Sequence, residues 1–186
     1  MTDTRKRTDF DFSKHELYVT DSGSVLIHHL KHPDHDTAYN IKFINIDNML
    51  IVNGDYGRWS FCREFHPSED GYVSSGYWIE KLETYSTQSG YEFDKESTKE
   101  EIEDGIESEL EKYGFEGDEL DQMKEYFQEL LEYVECGDNS YSSFAFNNYP
   151  YFTDHEIVPY VKKTKHRLNI VFDAFEEICK RLKENK

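Results

Sequence analysis

The chain has 186 residues, a net charge of −18 and an apolar content of only 37%. It nevertheless carries 14 Tyr and 13 Phe, whose capacity to bury large areas argues against disorder. The length predicts one domain with a hydrophobic core. The charge excludes a surface that attracts free nucleic acid or anionic membrane, and it predicts basic proteins or cations as partners.

The sequence carries no mark of secretion or of membrane insertion. No apolar run follows Met1, so we expect a flexible segment over 1–9 and neither a signal peptide nor a membrane span. The three cysteines, Cys62, Cys136 and Cys179, lack C-x-x-C spacing, which predicts neither a disulfide framework nor a zinc site. We expect Cys136 and Cys179 to pack in the core, and the protein to work in a reducing cytoplasm without a cofactor.

The N-terminal third of the chain alternates in the manner of β-strands. Ser22-Gly23 and Asp47-Asn48 are suited to hairpin turns, and Asp47-Asn48 tolerates positive φ. Gly54 to Gly57 forms another turn, and Pro67 ends the run of strands. The predicted strands span 15–21, 24–30, 38–46, 49–53 and 58–65. They form a four- or five-stranded antiparallel meander.

Helical periodicity dominates the rest of the chain. The predicted helices span 77–85, 97–113, 118–136 and 165–183. Ser97 and Glu100 fit a capping box at the start of the second helix, Gly114 suits its end, and Asp118 can cap the third. The short connection between the second and third helices makes them antiparallel neighbours.

Residues 140–152 contain an aromatic cluster that we predict to be a loop or an irregular strand. Its aromatic residues are Tyr141, Phe144, Phe146, Tyr149, Tyr151 and Phe152. They could form a protein-binding patch, but we favour their covering the sheet.

These elements predict an α+β fold in which an antiparallel meander sheet packs with about four helices. Residues 1–186 are predicted to be a single domain. Within it, 10–85 form the sheet region with a short helix, 97–137 an acidic helical hairpin, and 164–184 the C-terminal helix.

Most of the charge falls in the predicted hairpin. Residues 91–140 hold 19 Asp and Glu with 4 Lys, a net charge of −15. Between Glu100 and Glu135 there is about one carboxylate per 1.7 Å of helix axis, close to the phosphate spacing of duplex DNA. A solvated helix face explains such a run as well as a binding surface does. The predicted partner-binding residues are Glu100, Glu101, Glu103, Asp104, Glu107, Glu109, Glu111, Asp118, Glu119, Asp121 and Glu125.

The segment from His28 to Asp36 is the most metal-like part of the sequence. It holds His28, His29, His32, His35, Asp34 and Asp36. Imidazoles suit zinc, nickel and copper, but the spacing matches no zinc-protease motif. A strand would point His28 and His29 to opposite faces, so we predict no metal site.

A nuclease site is the catalytic alternative. Asp55, Arg58, Glu64 and His66 could form an acid/base cluster of the kind found in small RNases or metal-dependent nucleases. Arg58 and Glu64 share one face of the predicted strand 58–65, although cross-strand ion pairing explains that arrangement equally well. Around Asp55 the Gly-Asp-Tyr-Gly run lacks the context of a phosphate loop and predicts a turn.

The run from Ser24 to Leu82 resembles a group of uncharacterised phage and mobile-element proteins. Their shared pattern is a strand with a His-Leu pair, a Pro, and an L-x-x-x-G-D-x-G-x-x-x-F-x-R hairpin followed by a short helix. The matching positions are His29, Leu30, Pro33, Leu50, Gly54, Asp55, Gly57, Phe61 and Arg63. The resemblance covers about a third of the chain and leaves out the acidic hairpin.

This resemblance implies a phage or mobile-element origin, and many small acidic proteins of such elements are anti-CRISPR or other anti-defence inhibitors. We therefore expect a non-enzymatic inhibitor in the bacterial host cytoplasm. It would bind the basic channel of a Cas-type nuclease, or its ribonucleoprotein, as a nucleic-acid mimic. The alternatives are a nuclease acting on a guide RNA or another nucleic acid, and a structural or regulatory phage protein.

Overall fold

The structure, a computed structural model, describes residues 8–34, 39–71, 73–82, 90–148 and 159–184. The description leaves out the side chains of residues 107–109, 111–113 and 146. The described residues form the predicted α+β fold. They divide into two compact units: unit 1 comprises Met1–Gly90 with Thr164–Lys186, and unit 2 comprises Tyr91–Lys163.

Unit 1 is built on a five-stranded antiparallel meander, as predicted. The strands are β1 (Glu16–Asp21), β2 (Val25–Lys31), β3 (Ile41–Ile46), β4 (Met49–Gly54) and β5 (Gly57–Phe61). They lie in the sheet in chain order. Asp47 and Asn48 adopt φ values of 49° and 63°, which confirms the two-residue turn between β3 and β4.

The strand predicted to reach residue 65 ends at Phe61, so that boundary is wrong. Beyond Phe61 the backbone finds other partners. The Cys62 amide donates to the carbonyl of Lys81 at 2.7 Å. The Phe65 amide donates to Asn45 Oδ1 at 3.0 Å, and Asn45 Nδ2 donates to the Phe65 carbonyl at 2.7 Å. These bonds replace the ladder that a longer strand would need.

The described part of unit 1 also contains three helices: α1 (Pro67–Asp70), α2 (Ser75–Glu80) and α6 (His166–Glu184). The helix predicted over 77–85 therefore starts earlier, because the Ser74 side chain accepts a hydrogen bond from the Tyr77 amide. It also ends earlier than predicted, at Glu80, and Leu82 forms an isolated β-bridge with Phe61. Residues 83–85 of the prediction lie outside the described residues. The C-terminal helix is confirmed. Phe175 of α6 stacks on Trp78 of α2 at 4.8 Å between ring centroids.

The core of unit 1 lies between one face of the sheet and these helices. The largest of its fully buried side chains are Trp59, Phe43, Phe61, Phe65, Leu30, Ile41, Leu50 and Leu168. Cys179 is also buried there, as predicted, and burial raises the pKa of its thiol to about 11.

Unit 2 is mainly helical and has its own core. Its elements are β6 (Tyr91–Phe93), α3 (Lys95–Tyr113), α4 (Asp118–Cys136), α5 (Asp138–Asn148) and β7 (Lys162–Thr164), which pairs with β6. Lys95 at the start of α3 forms an ion pair with Glu135 at the end of α4. This contact confirms the antiparallel hairpin.

The two predicted N-terminal caps of the hairpin are wrong, whereas Gly114 directly follows α3 with a φ of 65°, as predicted. Helix α3 begins at Lys95, because Asp94 accepts hydrogen bonds from the Ser97 amide at 3.4 Å and the Ser97 hydroxyl at 3.2 Å. Ser97 therefore lies inside the helix and makes no capping box with Glu100. Gly117 occupies the cap position of α4, and Asp118 lies in the first turn, where a negative charge favours the helix N-terminus.

The loop or irregular strand predicted over 140–152 is also wrong over its described part. Residues 138–148 form α5, because Tyr141, Phe144 and Ala145 recur at helical spacing and are buried in the core of unit 2. These aromatic residues, predicted to cover the sheet, instead pack with α3 and α4 in the core of unit 2. Phe146 has no described side chain, and Tyr149, Tyr151 and Phe152 lie outside the described residues.

Cys136 is exposed, so its predicted place in the core is wrong.

Candidate partner-binding surface

The apolar residues of α3 and α4 decide where the carboxylates point. Each helix turns one apolar stripe into the core of unit 2. The buried members are Ile102 and Leu110 on α3, and Met123, Tyr126, Phe127, Leu130 and Val134 on α4. Because the apolar stripes face inward, the charged positions between them face solvent.

The predicted partner-binding residues are exposed wherever their side chains are described. The exposed ones are Glu100, Glu101, Glu103, Asp104, Asp118, Glu119, Asp121 and Glu125. The side chains of Glu107, Glu109 and Glu111 lie outside the description. The structure thus brings the described acidic positions to the surface of one compact unit.

Helix α4 carries a continuous row of carboxylates whose side chains are all described. Five exposed carboxylates follow one another at intervals of three or four residues, and they define the acidic stripe: Asp118, Asp121, Glu125, Glu129 and Glu132. The acidic stripe extends over about 21 Å, with roughly one carboxylate per 5 Å of axis. One DNA strand has a phosphate about every 3.4 Å, so the stripe is sparser than a phosphate backbone.

Sequence reasoning missed Glu129 and Glu132. The signal that could have found them is the same spacing of three and four residues continued past Glu125.

Few cations neutralise this surface. Lys99 lies 3.9 Å from both Glu103 and Glu135, and Lys95 pairs with Glu135. The hydrogen bond from Lys95 lowers the pKa of Glu135. Within the described part of the chain, none of the five carboxylates of the acidic stripe forms an ion pair.

The structure does not bring the predicted nuclease residues together. Asp55 lies in the turn before β5, whereas Glu64 and His66 lie beyond its other end, about 13 Å or more along the strand. There, His66 Nε2 and Glu64 Oε2 are 3.5 Å apart. Arg58 is on β5, but Glu64 is not, so their predicted shared strand face is wrong.

Asp55 itself has a structural role. Its carboxylate accepts a hydrogen bond from the Asn40 amide at 2.7 Å, and its own amide donates to the Asn40 carbonyl at 3.1 Å. These bonds tie the β4–β5 turn to the residue that precedes β3. Both the carboxylate and the backbone amide of Asp55 therefore bond to the backbone of Asn40 and hold the turn in place.

Most of the positions that carry the resemblance have a role in folding. A Cβ on Gly54 would lie 2.1 Å from the Asn40 carbonyl oxygen, and Gly57 adopts a φ of 110°. Arg63 pairs with the buried Asp70 at 2.8 Å. Leu30, Leu50 and Phe61 are fully buried.

The histidines of the metal-like segment diverge, as the strand predicted. His28 is buried on the core face, and His29 on the other face lies 3.3 Å from Asn40 Oδ1. Burial lowers the pKa of both. His35 and Asp36 lie outside the described residues. Among the side chains described, no three His, Cys, Asp or Glu lie close enough to hold a metal ion.

Comparisons of the chain with models of protein families, with curated proteins and with solved structures give no match. No described helix has the length and apolar character needed to span a bilayer.

Proposed function

We propose that this chain is a non-enzymatic binding protein that uses the acidic surface of unit 2 to occupy a basic, nucleic-acid-binding groove of a partner protein. The observation that carries the proposal is the acidic stripe. Its carboxylates are exposed, lie on one helix face and have no ion-pair partner among the described residues.

The energetics favour a binding role over an ordinary solvated surface. Ordinary surfaces intersperse both signs of charge, which avoids self-repulsion. Unit 2 has 21 Asp and Glu against 6 Lys and Arg, so it bears repulsion that weakens its compact state. A basic groove relieves that repulsion, and long-range attraction speeds the encounter.

A bacterial defence nuclease, and among these a Cas-type effector, is the partner class we propose. Support comes from the resemblance of residues 24–82 to phage and mobile-element proteins and from the density of negative charge. Nucleases of this type hold a nucleic-acid duplex in a positively charged channel. A rigid acidic helix can compete for that channel without being cleaved.

The test compares two full-length variants with the same change in net charge. In the first, the acidic stripe is reversed by Glu125→Lys, Glu129→Lys and Glu132→Lys. In the control, Asp34→Lys, Glu69→Lys and Glu184→Lys reverse three exposed carboxylates of unit 1. Each is added to purified Cas-type ribonucleoproteins, and cleavage of target DNA is measured.

We expect the wild-type protein and the control variant to inhibit at least one nuclease, and the stripe variant to lose about tenfold or more in potency. Circular dichroism checks that all three proteins are folded. Equal inhibition by a folded stripe variant would contradict the proposal, as would the absence of inhibition by the wild-type protein across the nucleases tested.

A further inference from the structure

The second face of the sheet in unit 1 is apolar, although the first face already holds the core. Cross-strand pairs place six aliphatic side chains side by side on β2, β3 and β4. They define the outer sheet face: Val25, Ile27, Ile44, Ile46, Met49 and Ile51. All six are partly exposed, and none packs against either hydrophobic core. A solvated sheet face would alternate with polar residues here.

A basic row borders this apolar patch. Lys42 pairs across the sheet with Asn53, which pairs in turn with Arg58. Lys42 and Arg58 are exposed on the same face as Ile44 and Ile51. Neither cation has an ion pair within the described residues. In a chain with a net charge of −18, two unpaired cations beside an apolar patch are a local reversal of charge.

We propose that the outer sheet face docks an acidic amphipathic helix of a partner protein. Apolar side chains of that helix would cover Ile27, Ile44 and Ile51, and its carboxylates would pair with Lys42 and Arg58. A helix laid on a sheet is the ordinary way to bury a second apolar face. The inference is separate from the proposed function, because no residue of unit 2 takes part.

Size and side-chain chemistry argue against other occupants. Two aliphatic rows on three strands cover a few hundred Å², whereas a stable dimer buries about 800 Å² per partner. Sheets that bind single-stranded nucleic acid present rows of aromatic rings for stacking. Here the exposed ring of Tyr18 lies at the β1 edge of the face, and the six side chains across β2, β3 and β4 are aliphatic.

The binding test uses two synthetic helical peptides of about 15 residues, labelled with a fluorophore and stapled to hold the helix. Both carry Leu along one face. One has Glu beside that face and the other has Lys. Fluorescence anisotropy with the full-length protein gives the two affinities. The overall charge favours the Lys peptide, so preference for the Glu peptide reports the local basic row.

Two double variants locate the site. Ile44→Thr with Ile51→Thr removes apolar area while keeping β-branched residues suited to strands. Lys42→Glu with Arg58→Glu reverses the row. The matched control is Lys14→Glu with Arg167→Glu, two exposed cations elsewhere in unit 1. We expect each site variant to weaken the Glu peptide about tenfold, the control to leave it unchanged, and the reversed row to prefer the Lys peptide.

Methionine oxidation checks that the face is open. Peroxide should oxidise Met49 faster than Met123, which is buried in the core of unit 2. Equal protection of the two would mean that the chain covers its own sheet, and this would overturn the proposal. So would dimerisation of the wild-type protein in sedimentation that the Ile44→Thr, Ile51→Thr variant loses, or affinity for the Glu peptide that neither site variant changes.

Discussion

The two units differ sharply in net charge and in where their charged side chains lie. Unit 1 has a net charge of −3 and holds both tryptophans, in a core between a sheet and helices. Unit 2 has a net charge of −15, and its described carboxylates on α4 are all exposed on a helix whose apolar stripe faces inward. The negative charge is therefore concentrated in unit 2, where the proposed function places the partner-binding surface.

Core substitutions should produce the largest effects and show whether the units unfold separately. Phe175→Ala removes a ring that contacts Trp78, Phe43 and Phe65, and should lower the free energy of unfolding of unit 1 by about 3–5 kcal/mol. Leu130→Ala should lower that of unit 2 by about 2–5 kcal/mol.

Tryptophan fluorescence in urea reports unit 1 alone, because Trp59 and Trp78 both lie there. Circular dichroism at the helical band reports both units. We expect Leu130→Ala to shift the helical signal and to leave the fluorescence midpoint unchanged. A fluorescence midpoint that moves with Leu130→Ala would mean that the two units unfold as one.

Gly54→Ala should destabilise unit 1 by about 1–3 kcal/mol, the range expected for overpacking. The added Cβ would meet the Asn40 carbonyl oxygen at 2.1 Å, so the β4–β5 turn must move. Urea unfolding followed by tryptophan fluorescence measures the loss. The matched control is Gly23→Ala, whose Cβ meets nothing within 4 Å but whose φ of 82° is strained. A smaller loss for Gly54→Ala than for Gly23→Ala would contradict the close approach.

Acid should weaken unit 1 before unit 2. Burial lowers the pKa of His15 and of His28 below the ordinary value of 6.5. In the folded state these rings resist protonation, and in the unfolded state they bind protons near pH 6.5. The unfolded state is therefore favoured progressively as pH falls from 6.5 toward the folded pKa values, and stability is complete above 6.5. The described residues of unit 2 include no histidine.

Urea midpoints of tryptophan fluorescence at about pH 7.5 and about pH 5.5 measure this loss. His28→Leu should reduce the difference between the two midpoints, because it removes one of the buried rings. An unchanged pH dependence in that variant would show that His28 is not responsible.

The smallest effect is expected from a single charge reversal on α4. Glu129→Lys places a cation four residues after Glu125 and three before Glu132, which creates two favourable pairs. Each should stabilise unit 2 by about 0.2–0.5 kcal/mol. Glu129→Gln separates the loss of repulsion from the new pairs. Thermal unfolding of both variants is followed by circular dichroism at the helical band. If the Lys variant is less stable than the Gln variant, this would argue against net repulsion along the acidic stripe.

The meander was predictable because its turns carry specific chemistry. Asp47 and Asn48 accept positive φ, and each strand alternates between faces. The N-terminal cap of α3 was not predictable, because Ser97 also fits a capping box. Only the structure shows that the Ser97 amide donates its hydrogen bond to Asp94. Helix α5 was missed since its many Ser and Asn residues are weak helix formers, and burial of Tyr141 and Phe144 overrides that weakness.

The candidate surfaces divide in the same way. The acidic positions could be predicted because charge is visible in the sequence. The shared face of Glu125, Glu129 and Glu132 was also within reach, because the predicted helix 118–136 has the bounds of α4. The nuclease cluster failed because Phe61 ends β5 and places Glu64 off the strand. The outer sheet face was missed because apolar residues on both parities, such as Phe43 and Ile44, also describe a strand buried on both faces.

The most direct test of the electrostatic account is the salt dependence of binding to an inhibited nuclease. The dissociation constants of the wild-type protein, the Glu125→Lys, Glu129→Lys, Glu132→Lys variant and the unit 1 control are measured from about 50 to about 200 mM salt. The account predicts a steep weakening for the wild-type protein and the control, and a shallower slope with weaker binding for the stripe variant. Identical slopes for all three folded proteins would contradict it.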